Sequence, residues 1–395
     1  MKKKILIIMP SMFIGGAERS LLGLLEQFDY EKYDVDLFLK RHEGEFLSHI
    51  PEKVNLLEEN KKYRTFDVPI KGLLRSQPLF AVARIMSKLA LRLHCLFTGE
   101  KPGVWMGMQY TSKYLCPLLP KIDGEYDAAI SFLGVPDILL KKVSAKIKIA
   151  WNHTDYRILG PCKKYDLKIY SKLDYIVSVS DRCTKQFLSV YPQLKEKAVT
   201  VENIISREMV YKFSEESIED FPQEDSTKLL SVGRFSDAKN FDNVPEICRL
   251  VRQQGLNIKW YLIGYGGDEA LIKSKIAEAG MEDYVIILGK KENPYPYMKQ
   301  CDLSVQPSRY EGKAVTVREA QILHKPVVIT AFETSKSQLT DGFDGVIVPM
   351  DNEGCAAGIA AVLRDEDLRQ RLIDNTKKTD YTNSDEIQKI YRLVE

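Results

Sequence analysis

Residues 301–329 read CDLSVQPSRYEGKAVTVREAQILHKPVVI. The short run Leu303 to Gln306 predicts a strand. A turn follows at Pro307-Ser308, then Glu311-Gly312, then a segment of helical character ending in Arg318-Glu319-Ala320. Pro326 to Thr330 predicts a second, buried strand. Strand, loop, helix and strand in this order form a βαβ unit of a parallel sheet, and so an α/β fold. Open α/β sheets bind ligands at the loops beyond the C-terminal strand ends. The glycine beside Glu311 lets backbone approach a ligand closely. The N–H groups that open the helix can face an anion.

The same theme repeats outward from this unit. Lys4 to Met9 is a run without alternation, as expected of a strand buried on both faces. It feeds Gly15-Gly16 and then Leu21, Leu22, Leu24, Leu25 and Phe28 at helical spacing. The loop is not G-x-G-x-x-G, which argues against a dinucleotide enzyme. It reads either as a tight turn that needs glycine or as amides facing a phosphate. Further strands are expected at Val35–Leu39, Tyr126–Phe132, Lys146–Trp151, Asp174–Val179 and Val199–Asn203. Ser180-Asp181 reads as an N-cap. His153 stands just past a strand end, where chemistry is usually placed, although a lone histidine is more often structural. The acidic, polar stretch Val210 to Lys228 predicts a domain boundary. Beyond it, strands are expected at Leu229–Arg234, Lys259–Ile263, Val285–Gly289 and Gly345–Pro349. Arg234 and Lys239 share one loop, which suits a diphosphate; solvated loop charges are the plainer reading. The tail from Ser384 reads as a helix with Ser384 as its cap.

The chain has 395 residues, enough for two domains. Lys+Arg 57 against Asp+Glu 55 gives no nucleic-acid footprint. Seven scattered cysteines with no C-x-x-C indicate neither a disulfide framework nor a zinc site, and point to a reducing cytoplasm. Pro10 cuts short the apolar run at the start, so a first strand is a better reading than a signal peptide. No stretch reaches the ~18 apolar residues of a spanning helix.

Lys61 to Lys121 departs from this neutrality, with eleven basic residues against Asp67 and Glu100. Leucine, isoleucine and phenylalanine between Leu73 and Phe97 recur at roughly helical spacing, with Arg75, Arg84, Lys88 and Arg92 among them. Such a helix can lie on an anionic membrane. It can equally pack on the domain core with a solvated basic face.

The stretch "SRYEGKAVTVREAQILHKPVV" resembles the Glu-x7-Glu motif of the retaining glycosyltransferases of family GT4. "GGAER", the strand-end His153, "GRFSDAKN" and "LDYIVSVSDRCTKQF" resemble the same family, so the likeness covers nearly the whole chain. Two positions depart from it: Lys313 where an aromatic is common, and His324 where glycine is usual before Pro326. The resemblance implies the GT-B architecture, two doubly wound Rossmann-like domains facing across a cleft. Residues 1–207 would form the acceptor side and 208–375 the donor side, with 376–395 a helical tail able to cross back. It implies a nucleotide diphospho-sugar donor, a glycan or lipid-linked glycan acceptor, and transfer with retention in bacterial envelope or capsular polysaccharide synthesis. The expected site is cytoplasmic, on the inner membrane face where segment 61–121 docks. His153, Arg234, Lys239 and Glu311 would be catalytic. Gly15, Gly16, Gly233, Lys290, Lys313, Ala314, Val315, Thr316 and Glu319 would bind the donor. Neither a metal nor a cofactor is expected, because Arg234 and Lys239 would neutralise the diphosphate. Rival readings are an epimerase, needing no acceptor, a phosphorylase, consuming phosphate, and a non-catalytic nucleotide-sugar binding module.

Overall fold

The computed structural model describes every residue except Met1, Ile14, Asp155, Arg157, Ile158, 222–224, Gly312 and Lys313. The chain divides into two compact units. One comprises residues 1–204 and 384–395, the other 205–383. Among the described residues the first holds seven parallel strands: β1 (Lys3–Met9), β2 (Tyr33–Leu39), β3 (Asn55–Leu56), β4 (Glu125–Ser131), β5 (Ser144–Asn152), β6 (Tyr175–Ser178) and β7 (Ala198–Thr200). Their order is β3-β2-β1-β4-β5-β6-β7. The second holds β8 (Thr227–Val232), β9 (Ile258–Ile263), β10 (Val285–Gly289), β11 (Leu303–Gln306), β12 (Val327–Thr330) and β13 (Val346–Val348), also parallel, ordered β10-β9-β8-β11-β12-β13. Each order reverses beside its first strand, between β1 and β4 and between β8 and β11. Such reversals open a crevice at the C-terminal strand ends.

The central strands are buried on both faces, which is why they carry unbroken apolar runs. Ile5, Leu6, Ile7 and Met9 of β1 have no exposed surface. In the second unit Trp260 is fully buried. Its indole N–H donates to Ser231 Oγ at 2.9 Å, and that hydroxyl donates to the Val305 carbonyl at 2.6 Å. A buried indole needs such a partner, so this chain of bonds joins β9, β8 and β11.

The units correct the expected boundaries. Residues 205–207 belong to the second unit, because Ser206 caps the helix Arg207–Ser214 by accepting from the Met209 N–H at 3.2 Å. Val210 and Phe213 on that helix are buried, so the start of the acidic stretch is packed structure rather than linker. At the other end the helix Glu366–Lys378 carries the second unit past residue 375, and the return to the first unit falls at 383/384. The final helix, Glu386–Val394, begins after Asp385, so Ser384 is not its cap residue. Its Tyr391 ring stacks on Tyr33 with centroids 4.6 Å apart, and its hydroxyl accepts from the Asp29 N–H at 2.7 Å.

The basic segment holds three α-helices, Ile70–Ser76, Pro78–Thr98 and Val104–Leu115, the first two separated at Gln77. On the second, Leu79, Val82, Ile85, Met86, Leu89, Leu93, Leu96 and Phe97 are all exposed. At 3.6 residues per turn they fill one stripe about 120° wide. Phe80, Ala81 and Ser87 on the opposite side are buried. The apolar stripe is thus outside, not on the core. Arg84 does not share that surface: its guanidinium donates to the carbonyls of Thr65, Phe66 and Val68.

Candidate functional site

The loops at the C-terminal edge of the second sheet gather the expected donor-side residues. Gly233 and Arg234 follow β8, Lys239 ends a short helical turn, Asp237–Lys239, and Glu311 follows β11. Two close approaches shape this edge. A Cβ on Gly264, just after β9, would lie 1.8 Å from the Gly233 carbonyl oxygen, so only glycine lets the β9 loop cross the β8 loop. The first unit repeats the device: a Cβ on Gly44 would lie 2.1 Å from the carbonyl carbon of Met12, in the loop after β1.

Glu311 and Lys239 form an ion pair at 2.5 Å. The same carboxylate oxygen accepts from Ser308 Oγ at 2.7 Å and from Gln306 Nε2 at 3.1 Å. The Gln306 carbonyl oxygen in turn accepts from Thr316 Oγ1 at 3.1 Å. Among the described residues the second oxygen of Glu311 has no partner. Arg234 is exposed and, among the described residues, makes no ion pair. Glu319 is buried on the helix Val315–Ile322, one oxygen accepting from Tyr295 OH at 2.6 Å.

Other donor-side expectations find different surroundings. The Ala314 N–H donates to Gln338 Oε1 at 3.0 Å and is therefore already engaged. Val315 and Thr316 open the helix. Lys290 is exposed after β10, its ammonium 5.4 Å from the centroid of the Tyr265 ring. Lys313 lies outside the described residues. Sequence reasoning missed Tyr295, Gln306 and Ser308, which hold the two glutamates, and exposed Tyr265, whose place beside Gly264 was the available signal.

In the first unit His153 follows β5 and Gly15-Gly16 follow β1, both at the C-terminal edge of that sheet. The His153 Nε2 lies 2.9 Å from the Phe132 carbonyl. A carbonyl only accepts, so Nε2 carries the proton and Nδ1 offers a lone pair. Burial pushes the ring's pKa down to about 4, against the Phe132 carbonyl, which pulls it up. The ring is neutral at pH 7. Gly15 precedes the helix Gly16–Glu26, and the Glu18 carboxylate folds back so that a Cβ on Gly15 would lie 2.3 Å from it. Burial raises the Glu18 pKa.

Residues 213–379 match the family described as Glycosyl transferases group 1. An amylovoran biosynthesis glycosyltransferase, AmsK of Erwinia amylovora, is 32% identical over 34% of this chain and 35% of its own length. The N-acetylgalactosamine-N,N'-diacetylbacillosaminyl-diphospho-undecaprenol 4-alpha-N-acetylgalactosaminyltransferase of Campylobacter jejuni is 26% identical over 53% of this chain and 56% of its own. The matched stretches thus span only part of these relatives. A TarM variant of S. aureus, solved in complex with UDP and other ligands, aligns over 100% of both chains with a TM-score of 0.58 at 14% identity. That likeness reports the fold, two Rossmann-like units of the GT-B class. Over residues 213–379, the chain is similar to the glycosyl transferases group 1 family.

Proposed function

We propose that this protein is a retaining glycosyltransferase. It moves a sugar from a nucleoside diphosphate sugar to a glycan or lipid-linked glycan in the synthesis of a bacterial surface polysaccharide. The observation that carries this reading is the convergence of Arg234, Lys239 and Glu311 on one strand-end edge, with Glu319 on the helix that follows, all within residues 213–379. The relatives' names concern polysaccharide and lipid-linked glycan assembly, and UDP is bound in the TarM variant.

In this mechanism Arg234 and Lys239 hold the diphosphate. Its negative charge grows as the glycosidic C–O bond breaks, so their attraction is greatest in the transition state. They fill the place a divalent cation would take. Glu311, oriented through one oxygen by Ser308 and Gln306, accepts hydroxyls of the departing sugar with the other. Glu319, steadied by Tyr295, takes the ribose hydroxyls. Gly233, Lys290 and the segment 313–316 complete the donor contacts. Neutral His153 and the Gly15-Gly16 loop are assigned, by the family resemblance, to contact with the donor. The acceptor attacks the face that the diphosphate leaves.

The exposed stripe of the helix Pro78–Thr98 fits a cytoplasmic enzyme working on an anionic membrane face. Lys71 and Arg75 are exposed on the helix Ile70–Ser76, and Lys88 and Arg92 on the helix Pro78–Thr98. Each contributes about 1 kcal/mol near anionic lipid, and the apolar stripe adds shallow insertion. Among the described residues no helix is long and apolar enough to cross a membrane.

The test is a panel of nucleotide sugars with the purified protein, reading nucleotide release with and without lipid acceptors and with EDTA. Release is expected for one donor, accelerated by acceptor and retained under chelation. Silence across the panel would remove the transferase reading. Loss under EDTA restored by Mg²⁺ would remove the metal-free mechanism.

A further inference from the structure

At the C-terminal edge of the first sheet, a cavity of about 430 Å³ lies between the helices Pro78–Thr98 and Val104–Leu115. Phe66, Leu91, Val104 and Met108 supply apolar wall, and Lys88 lies at the rim. Lys40, the residue after β2, lines it as well, and is 8% exposed. Among the described residues its ammonium makes no hydrogen bond or ion pair. The Phe66 ring stands 4.6 Å from it. The carboxylate of Asp67 is paired instead with Arg41 Nε at 3.5 Å.

A buried ammonium without a partner is costly, and buried cations are ordinarily paired. Burial lowers the Lys40 pKa, and the charge of Asp67, which also lines the cavity, opposes this without cancelling it. An anion entering the cavity would add the direct counter-charge that Lys40 lacks. The apolar walls suit an anion attached to something apolar, and the exposed Val104 side chain continues that surface outward. Cavities of this size hold a small head group with several methylenes.

We infer that this cavity binds the phosphate of an anionic amphiphile, with Lys40 against the phosphate oxygens and the hydrocarbon chain against the apolar wall of Phe66, Leu91, Val104 and Met108. Calling that amphiphile the acceptor rests on the transferase reading; the site itself does not.

The test is calorimetric titration of the full chain with decyl phosphate below its micelle concentration, beside inorganic phosphate and decyl maltoside. Decyl phosphate should bind at least about tenfold more tightly than either. Lys40→Met, which keeps the stem and removes the charge, should abolish that preference while the melting temperature holds or rises. Gly107→Leu provides an independent check. Gly107 lines the cavity and a Cβ there meets nothing within 4 Å, so the leucine should fill the space and block decyl phosphate in a folded protein. Equal binding of inorganic phosphate would make this a free-anion site and overturn the inference. Equal binding of decyl maltoside, or a Lys40→Met protein that binds like wild type, would overturn it too. The nucleotide-sugar panel with the wild type keeps the two readings apart. Nucleotide release without decyl phosphate binding refutes only this site, and the reverse refutes only the transferase.

Discussion

Lys239 and Glu311, paired at 2.5 Å, are the expected diphosphate cation and the expected sugar carboxylate. Each is therefore occupied by the other before a donor arrives. On the proposed roles, binding would exchange one charge-assisted contact for another, and this pair would set how much of the cation's strength is reserved for the transition state. Glu311→Gln removes the competitor. UDP affinity should hold or improve while transfer falls about 10²–10³-fold. Calorimetry beside initial rates reads both; a parallel fall in the two would show that Glu311 serves only to hold the loop.

Arg234→Ala and Lys239→Ala should separate activity from stability. Both should slow transfer by about 10²–10³. Arg234 is exposed and unpaired among the described residues, so its loss should leave thermal unfolding nearly unchanged. Losing Lys239 strands a Glu311 side chain that is only 10% exposed, at a cost of about 1–3 kcal/mol. Scanning calorimetry on the pair decides; equal melting temperatures would contradict this account.

Tyr295→Phe tests the second glutamate. Without the 2.6 Å bond, Glu319 loses the contact that aims it. UDP affinity should weaken about five- to tenfold, while pyrophosphate binding stays as it was, since only the ribose contact is touched. Equal weakening of both ligands would place the defect in the fold rather than in ribose recognition.

His153 should titrate near 4 rather than near 6.5. Its folded pKa is depressed, so it contributes stability that is complete above about 6.5 and fades as pH falls through about 4. No limb of the pH–rate profile near 6.5 should belong to it. Nitrogen-15 NMR of the imidazole reads both the pKa and the Nε2–H tautomer. A titration between 6 and 7 would mean the ring is hydrated and not held by Phe132.

The β11–helix–β12 unit was legible because its strands are apolar, its turn is Pro-Ser, and its two glutamates are fixed in spacing. The histidine at the glycine position was legible as a departure, but its accommodation was not. His324 sits at φ 54°, left-handed, as the residue after the helix cap. Its N–H donates to the Gln321 carbonyl and that of Lys325 to Ala320. This is the Schellman ending that glycine usually serves. Tyr211 OH, 2.8 Å from His324 Nε2, helps hold the side chain. That partner lies 113 positions away, beyond any local pattern. The same holds for Tyr295 with Glu319 and for Lys40 with its cavity. The two-residue β3 was too short to carry a period, and the apolar repeat of Pro78–Thr98 could not say which side of the helix met the core.

The final helix, Glu386–Val394, completes the first unit although every residue of the second precedes it. During synthesis the second unit can therefore be finished while Phe28 and Tyr33 still lack the ring of Tyr391 that covers them. The N-terminal half emerges first and matures last. A nascent chain stalled near residue 380 would present a finished second unit and a first unit with an open aromatic seam, the kind of transiently exposed surface that holdase chaperones recognise.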